Sequence, residues 1–270
     1  MSLNTWITIA LFATIILAIF EIKKSDQEVL IIAHRGAMSD KPENTMEAFK
    51  HAVELGADIV EIDLRTSSDG HLFILHDDSL SRTSDGEGIA TSFTLAELQA
   101  LDAGSWFDER YRGLIIPSFK EVLQWAKSEE VVLLLDLKEG GREFAENVAN
   151  QVKQYGSEEN MVVGVRSIEQ AGEFQELLPN SRQLAFMRNP DQIEEYAETN
   201  VDVIRLWLRW LDEDPGLADR VHQTGKKLMI NGTVGGLEET QRIKSYAPHW
   251  ILIDDVSQLQ QSLLHLSSSN

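Results

Sequence analysis

The chain has 270 residues, of which 43% are hydrophobic and 25% are charged, a length and composition that suit one large globular domain. It contains no cysteine, which excludes disulfides, cysteine-ligated zinc and a thiol nucleophile. The formal net charge of −20 repels nucleic-acid backbones, so we expect no nucleic-acid partner, and an anionic substrate would need a local cation.

The N-terminal segment is apolar. Residues 3–20 carry no charged side chain and approach the length of about 17 to 20 residues that spans a bilayer as a helix. No Lys or Arg precedes this run and no small-residue cleavage pattern follows it, which favours an uncleaved anchor over a secretory signal. We therefore expect residues 1–25 to be a single-pass membrane anchor helix, with the side of the membrane left open, and residues 26–268 to be the folded domain.

Short apolar runs alternate with amphipathic stretches through the rest of the chain. Helical patterns occur, for example, at residues 44–55, 142–155 and 217–224. The runs that predict buried strands are residues 29–33, 58–63, 131–136, 161–165, 183–187, 202–206, 227–231 and 250–253. Eight such units predict an α/β fold of the (β/α)8 TIM-barrel type.

One apolar run, residues 72–76, departs from this alternation. The interval between Asp63 and Leu72 is too short for a helical crossover, and Ser68-Asp69-Gly70 is a turn signal. We therefore predict an extra strand that forms an antiparallel hairpin with the strand before it. The insertion that follows, at about residues 77–115, has the length of a lid or substrate loop.

Acidic side chains lie at the carboxyl ends of two predicted strands. Glu61 and Asp63 are two residues apart and would point to one face, and Asp136 ends a later strand. In a (β/α)8 barrel these ends open onto the face that holds the active site. Three converging carboxylates repel one another unless a cation lies between them, and oxygen-only ligands suit Mg²⁺ or Ca²⁺.

Basic and titratable side chains accompany these carboxylates. His34 and His76 follow predicted strands and are candidates for an acid–base pair, because histidine titrates near neutral pH. Arg35 and Lys138 are candidates to neutralise a phosphate, the arginine in bidentate fashion.

The order and spacing of these groups resemble the glycerophosphodiester phosphodiesterase family over roughly the first half of the domain. The segments that carry the resemblance are Ala33-His34-Arg35-Gly36, Pro42-Glu43-Asn44-Thr45, Glu61-Ile62-Asp63, His76-Asp77, Ser84-Asp85-Gly86-x-Gly88, Ile116-Pro117 and Leu135-Asp136-Leu137-Lys138. The resemblance implies a TIM-barrel enzyme that uses one divalent cation, Ca²⁺ or Mg²⁺, to hydrolyse a small-molecule glycerophosphodiester to glycerol phosphate and an alcohol.

The resemblance also implies a role for each matched residue. It gives His34 and His76 as catalytic, Glu61, Asp63 and Asp136 as metal ligands, and Arg35 and Lys138 as phosphate-binding. Glu43 is interpreted as a supporting group or a helix-start residue.

The sequence departs from the family pattern at three places. Asp136 stands where the family usually has Glu, and residues 231–234 lack the aromatic residue usual there. Asp254 is not followed by the proline often found after it. The missing aromatic residue leaves the head-group specificity open, and the shorter side chain of Asp136 leaves open whether it binds the metal directly or through water.

Two alternatives remain. One is a lysophospholipase D or sphingomyelinase-D-like enzyme acting on lipids such as a lysophospholipid. A membrane anchor would suit such a substrate, as would the aromatic residues Trp106, Phe107, Trp207 and Trp210. These rings could equally fill the barrel shell. The other is a catalytically inactive membrane protein that binds phosphodiesters, against which the pair of histidines argues.

Overall fold

The strands of the chain close into a barrel. The structure, a computed structural model, describes residues 29–268. Within this range eight parallel strands pair in the order β1-β2-β4-β5-β6-β7-β8-β9, and β9 pairs with β1. The strands are β1 Leu30–Ala33, β2 Ile59–Thr66, β3 Leu72–Ile74, β4 Val132–Leu137, β5 Met161–Val165, β6 Arg182–Ala185, β7 Val203–Trp207, β8 Lys227–Thr233 and β9 Trp250–Ile253. The predicted (β/α)8 barrel is confirmed.

Helices surround the barrel. The α-helices among the described residues are α1 Met46–Glu54, α2 Leu95–Gln99, α3 Phe119–Ser128, α4 Arg142–Tyr155, α5 Ile168–Leu177, α6 Ile193–Ala197, α7 Leu208–Glu213, α8 Leu217–Gln223, α9 Leu237–Ser245 and α10 Val256–Ser268. Helix α1 begins where a threonine can cap it, since the side chain of Thr45 accepts from the backbone N–H of Ala48. Its buried face, which includes Phe49, packs against the strands.

The alternation of side chains along each strand produces two hydrophobic layers. Ile32 points into the barrel, where it packs with Ile59, Leu134 and other residues of the interior. Its neighbours Ile31 and Ala33 face outward and pack against the helices. The apolar interior fills the lower barrel, so the polar residues that continue the inward-facing rows lie at its carboxyl-terminal mouth.

The extra strand is an antiparallel partner of β2, as predicted. Leu64 pairs with Ile74, and Gly70 turns the chain with a φ of +81°, a conformation that favours glycine. The insertion after β3 packs around a small core of its own that includes Leu80 and Leu98. The hairpin therefore places the residues after β3 beside the mouth of the barrel.

The predicted single-pass membrane localisation requires correction. Among residues 29–268, no helix combines the length and the apolar character needed to cross a bilayer. The anchor helix proposed for residues 1–25 lies outside the described residues.

Candidate active site

Three buried carboxylates converge at the mouth of the barrel. Glu61 and Asp63 project from the same face of β2, and Asp63 is paired in register with Asp136 of β4. The relative exposures of Glu61, Asp63 and Asp136 are 1%, 0% and 9%. One oxygen atom of each carboxylate lies within 4.8 Å of the other two. The three predicted metal ligands are thus brought together by adjacent parallel strands.

The ammonium group of Lys138 lies between two of these carboxylates. Its Nζ atom is 2.8 Å from Asp63 Oδ1 and 2.6 Å from Asp136 Oδ2. Burial favours the neutral amine, but the charges of Asp63, Asp136 and Glu61 outweigh it and raise the pKa of Lys138. The lysine is therefore a fixed cation at neutral pH, held by the acidic cluster.

Glu61 is in a different electrostatic position. Its Oε2 atom accepts a hydrogen bond from the backbone N–H of Arg35 at 2.7 Å. Burial, followed by the charges of Asp63 and Asp136, raises the pKa of Glu61 well above its usual range. A further cation beside Glu61 would stabilise its ionised form.

The carboxylate cluster fits a hard divalent cation. Within the described chain the buried Asp63 Oδ1 accepts no hydrogen bond of acceptable geometry, although Lys138 Nζ lies 2.8 Å away. Mg²⁺ and Ca²⁺ prefer oxygen ligands, and either cation would offset the repulsion among the three carboxylates. It would also satisfy the buried oxygen that lacks a hydrogen bond. Glu61, Asp63 and Asp136 therefore form a possible metal site.

The loop after β1 positions Glu61. Arg35 has a φ of +53° and Gly36 a φ of +79°, so the chain turns sharply after His34. A Cβ atom at Gly36 would lie 2.7 Å from the backbone carbon of Ala48, so only glycine fits there. This close approach to α1 aims the N–H of Arg35 at Glu61.

Asn44 positions the second carboxylate. Its Nδ2 atom donates to Asp63 Oδ2 at 2.7 Å, and its own backbone N–H donates to the carbonyl of Arg35 at 3.0 Å. Asn44 itself has a φ of +57°, which asparagine tolerates better than most residues. The segment before α1 thus links the Arg35 turn to the acidic cluster.

Both candidate catalytic histidines are held through the same ring nitrogen. His34 Nδ1 lies 2.6 Å from Asp254 Oδ1, and His76 Nδ1 lies 2.7 Å from Asp77 Oδ1. A carboxylate can only accept, so each aspartate favours the tautomer with the proton on Nδ1 and leaves Nε2 for proton transfer. Burial is the main cause that lowers the pKa of His76, against the opposing charge of Asp63.

Arg35 belongs to an ion-pair network with Glu43. Arg35 Nη1 donates to Glu43 Oε1 at 2.8 Å, and Arg82 donates to both oxygens of the same carboxylate at 2.7 Å each. Arg82 also donates from Nε to Asp77 Oδ2 at 2.5 Å. Glu43 is therefore the supporting group that the sequence suggested, and Arg82 connects it to the aspartate that holds His76.

A cavity of about 400 Å³ opens above the carboxylate cluster. Of the seven predicted site residues, six line it, while the fully buried Asp63 lies beneath the surface. The rest of the lining is largely basic and aromatic, and it is formed by Arg166, Phe186, Met187, Arg188, Arg205, Trp207, Asn231 and Leu252. Trp207 supplies an aromatic wall from β7, where the sequence lacked one at residues 231–234.

Sequence reasoning missed four residues of this site: Arg82, Arg166, Arg205 and Asp254. Arg166 donates from Nε to the carbonyl of Leu137 at 3.0 Å and forms an ion pair with Asp136. A signal existed for Arg205, since a charged residue interrupts the apolar run of β7, and for Asp254, which directly follows β9. Arg82 lies in the insertion after β3, and Arg166 directly follows β5. Both have many polar neighbours in the sequence, so the pattern alone did not distinguish them from surface residues.

Comparison with known proteins gives one family. The model of the glycerophosphoryl diester phosphodiesterase family matches residues 34–171. A glycerophosphodiester phosphodiesterase from Caldanaerobacter subterraneus subsp. tengcongensis is 40% identical over 141 residues, which cover 50% of this chain and 57% of that protein. Putative glycerophosphodiester phosphodiesterase YhdW of Bacillus subtilis is 38% identical over 152 residues, or 56% of this chain and 62% of that protein. The matched region therefore spans about three-fifths of each of these curated relatives.

A solved structure extends the likeness over most of the chain. A glycerophosphodiester phosphodiesterase from Agrobacterium tumefaciens superposes with a TM-score of 0.73 at 26% identity, covering 86% of this chain and 99% of that one. The matched fold thus includes the second half of the barrel, where the sequence resemblance is weaker.

Proposed function

The chain belongs to the glycerophosphoryl diester phosphodiesterase family, and on this premise we propose that its cavity binds and hydrolyses a small glycerophosphodiester. The products are glycerol phosphate and the alcohol that was esterified to it. The observation that carries the proposal is the pair of histidines, His34 and His76, each held by an aspartate at the edge of one cavity with a buried carboxylate cluster. Binding alone would need no such acid–base pair.

Proton transfer in this proposal belongs to the two histidines. One accepts the proton of the attacking oxygen as a new P–O bond forms, and the other donates a proton to the alcohol oxygen as its P–O bond breaks. The lowered pKa of His76 keeps its ring neutral at pH 7, which suits it to accept the proton. The attacking oxygen belongs to water, or to a glycerol hydroxyl that first forms a cyclic phosphate.

The cations of the cavity bind the phosphate. Arg35 and Lys138 line the cavity beside the histidines and would offset the charge that builds on the phosphoryl oxygens. Both are held by carboxylates, Arg35 by Glu43 and Lys138 by Asp63 and Asp136, so their positions are fixed before substrate arrives. A divalent cation, Ca²⁺ or Mg²⁺, bound by Glu61, Asp63 and Asp136 would supply further charge stabilisation.

The test is turnover of glycerophosphocholine by the full chain, followed by ³¹P NMR in EDTA, in Ca²⁺ and in Mg²⁺. We expect a glycerol phosphate signal with a divalent cation and none in EDTA, and a transient cyclic phosphate signal would identify attack by the substrate hydroxyl.

Parallel assays on lysophosphatidylcholine separate the related activity. Faster turnover of that lipid than of glycerophosphocholine would assign the chain to lipid hydrolysis instead. No turnover of either compound in any cation would contradict the proposal and favour a protein that only binds phosphodiesters.

A further inference from the structure

Arg205 is a buried cation that lines the cavity without an acidic partner. It is 5% exposed, and its Nη2 atom donates to the backbone carbonyl of Met187 at 3.0 Å. Its Nε atom is buried and has no hydrogen-bond partner, and within residues 29–268 no carboxylate forms an ion pair with it. Among the other arginines that line the cavity, Arg35 and Arg166 each have a carboxylate partner, and Arg188 is exposed to solvent.

An unpaired buried charge is unfavourable unless another group compensates it. Aromatic rings provide part of that compensation, since the Arg205 guanidinium lies 4.5 Å from the centroid of Trp207 and 5.1 Å from that of Phe186. Burial, and then the nearby charge of Arg166, lowers the pKa of Arg205 to about 9, against the opposing charge of Asp136. The guanidinium therefore remains charged at pH 7 and still has donor capacity to offer.

A second cation lies close to it. Arg166 and Arg205 both contact the same ring, and the guanidinium carbon of each lies 5.1 Å from the centroid of Phe186. Asp136 forms ion pairs with both Arg166 and Lys138, and it acts on Arg205 only through its charge, without a direct contact. Two guanidinium groups near one ring in a shared cavity, one of them without a carboxylate contact, make this wall favourable for an anion.

The topology separates Arg205 from the two carboxylates of β2. In the eight-strand order, β7 is four strands from β2 in either direction, so Arg205 lies across the mouth from Glu61 and Asp63. A phosphate held beside the histidines and the carboxylate cluster is therefore on the other side of the cavity. Arg205 faces the part of the substrate that extends beyond that phosphate.

We propose that Arg205 selects glycerophosphodiesters whose alcohol carries a second anionic group, a phosphate or a carboxylate. The inference rests on the proposed function for the identity of the first phosphate. A guanidinium group binds phosphate and carboxylate alike in bidentate fashion. The structure therefore assigns an anionic group, and the ligands compared in the test distinguish a phosphate from a carboxylate.

The test is equilibrium binding by calorimetry, with Ca²⁺ present, to the full chain carrying His34→Asn so that ligands are not consumed. Two matched ligand pairs are compared. Bis(glycerophospho)glycerol differs from glycerophosphoglycerol by a second phosphodiester, and glycerophosphoserine differs from glycerophosphoethanolamine by a carboxylate. We expect the more anionic member of at least one pair to bind about tenfold tighter, the effect of one good charge-assisted contact.

Arg205→Met in the same background should reduce that preference to within about twofold, while affinity for the less anionic member changes by less than about threefold. Arg209→Met is the matched control, since Arg209 also lies over the Trp207 ring, at 5.0 Å, but is exposed and does not line the cavity. It should leave the preference unchanged. An equal loss of affinity for both members of a pair in Arg205→Met would overturn the inference. It would mean that Arg205 binds the first phosphate or only stabilises the fold.

The comparison remains decisive if Arg205→Met does not fold. The ligand preference is measured with Arg205 intact, and its absence from both pairs contradicts the inference without any arginine variant. A preference in binding, together with no hydrolysis of any ligand by the unsubstituted chain, would instead remove the proposed function and leave the anion site in place.

Discussion

His34 and Asp254 lie 220 positions apart in the sequence and form a 2.6 Å contact between Nδ1 and Oδ1. They meet because β1 and β9 are adjacent in the closed barrel, where Ala33 pairs with Ile253. Each residue directly follows its strand, so barrel closure itself builds the contact. The aspartate orients the imidazole and favours one tautomer. Because this contact forms only when β9 pairs with β1, the proposed catalytic role of His34 depends on closure of the barrel.

Asp254→Asn should lower kcat by about a hundredfold, because an amide can donate to Nδ1 as well as accept from it, and so it no longer fixes the tautomer of the imidazole. The matched control is Asp255→Asn at the next position, whose carboxylate accepts from the N–H of Gln258 instead. The control should retain activity and lose only some stability of α10. Steady-state kinetics and thermal unfolding of both variants test this, and equal kcat values would refute the role of Asp254.

The pH dependence of activity should report His76. Because burial lowers its pKa below the ordinary value of 6.5, the ring stays neutral at pH 7, and the acid limb of the activity profile should lie below that value. The unfolded chain binds more protons than the folded one as pH falls through 6.5, so this residue also reduces stability in acid. An acid limb of kcat/KM with an apparent pKa above 6.5 would contradict this account.

Divalent cations should stabilise the folded chain. A ligand that binds only the folded state adds about 2.7 kcal/mol at a concentration one hundred times its Kd, so the melting temperature should rise with Ca²⁺ or Mg²⁺. Asp63→Asn should abolish that rise. Glu87→Gln, the same change in charge at an exposed residue of the insertion, should preserve it. A rise that persists in Asp63→Asn would place the cation elsewhere.

Gly164 leaves space for the ring of Phe186, which both Arg166 and Arg205 contact. A Cβ atom there would lie 2.2 Å from Phe186 Cε2 and 2.9 Å from the carbonyl oxygen of Leu135. Gly164→Ala should therefore destabilise the chain by about 1 to 3 kcal/mol through overpacking. Gly172→Ala, in open space within α5, should instead stabilise it by up to about 1 kcal/mol. Urea unfolding of both variants checks the opposite signs.

Much of the fold followed from local pattern. Strand runs, their alternation with helices and the hairpin at Ser68-Asp69-Gly70 are short-range features, and the structure confirms each of them. Helix α4 has the predicted bounds because its apolar spacing is regular and Gly141 and Gly156 flank it. The seven predicted site residues also meet, because carboxyl ends of parallel strands share one edge; their catalytic roles remain predictions.

The unpredicted parts depend on contacts between distant segments. Asp254 is recognised only when β9 closes onto β1, and Arg82 only when the insertion folds back to Glu43. Arg205 stands out through its burial and missing partner, which a strand pattern does not reveal. The predicted membrane localisation failed for another reason, since it depended on composition in a segment beyond the described residues.

The central claim is that His34 and His76 perform the proton transfers of phosphodiester hydrolysis. The most direct measurement is the rate of glycerol phosphate release from one glycerophosphodiester, with Ca²⁺, by His34→Asn, His76→Asn and the unsubstituted chain. His51→Asn is the control, because His51 contacts Glu54 on α1 and lines no part of the cavity. We expect losses of about 10² to 10⁴-fold for the first two variants and unchanged release for the control, with all of them folded. Unchanged release by either His34→Asn or His76→Asn would contradict the account.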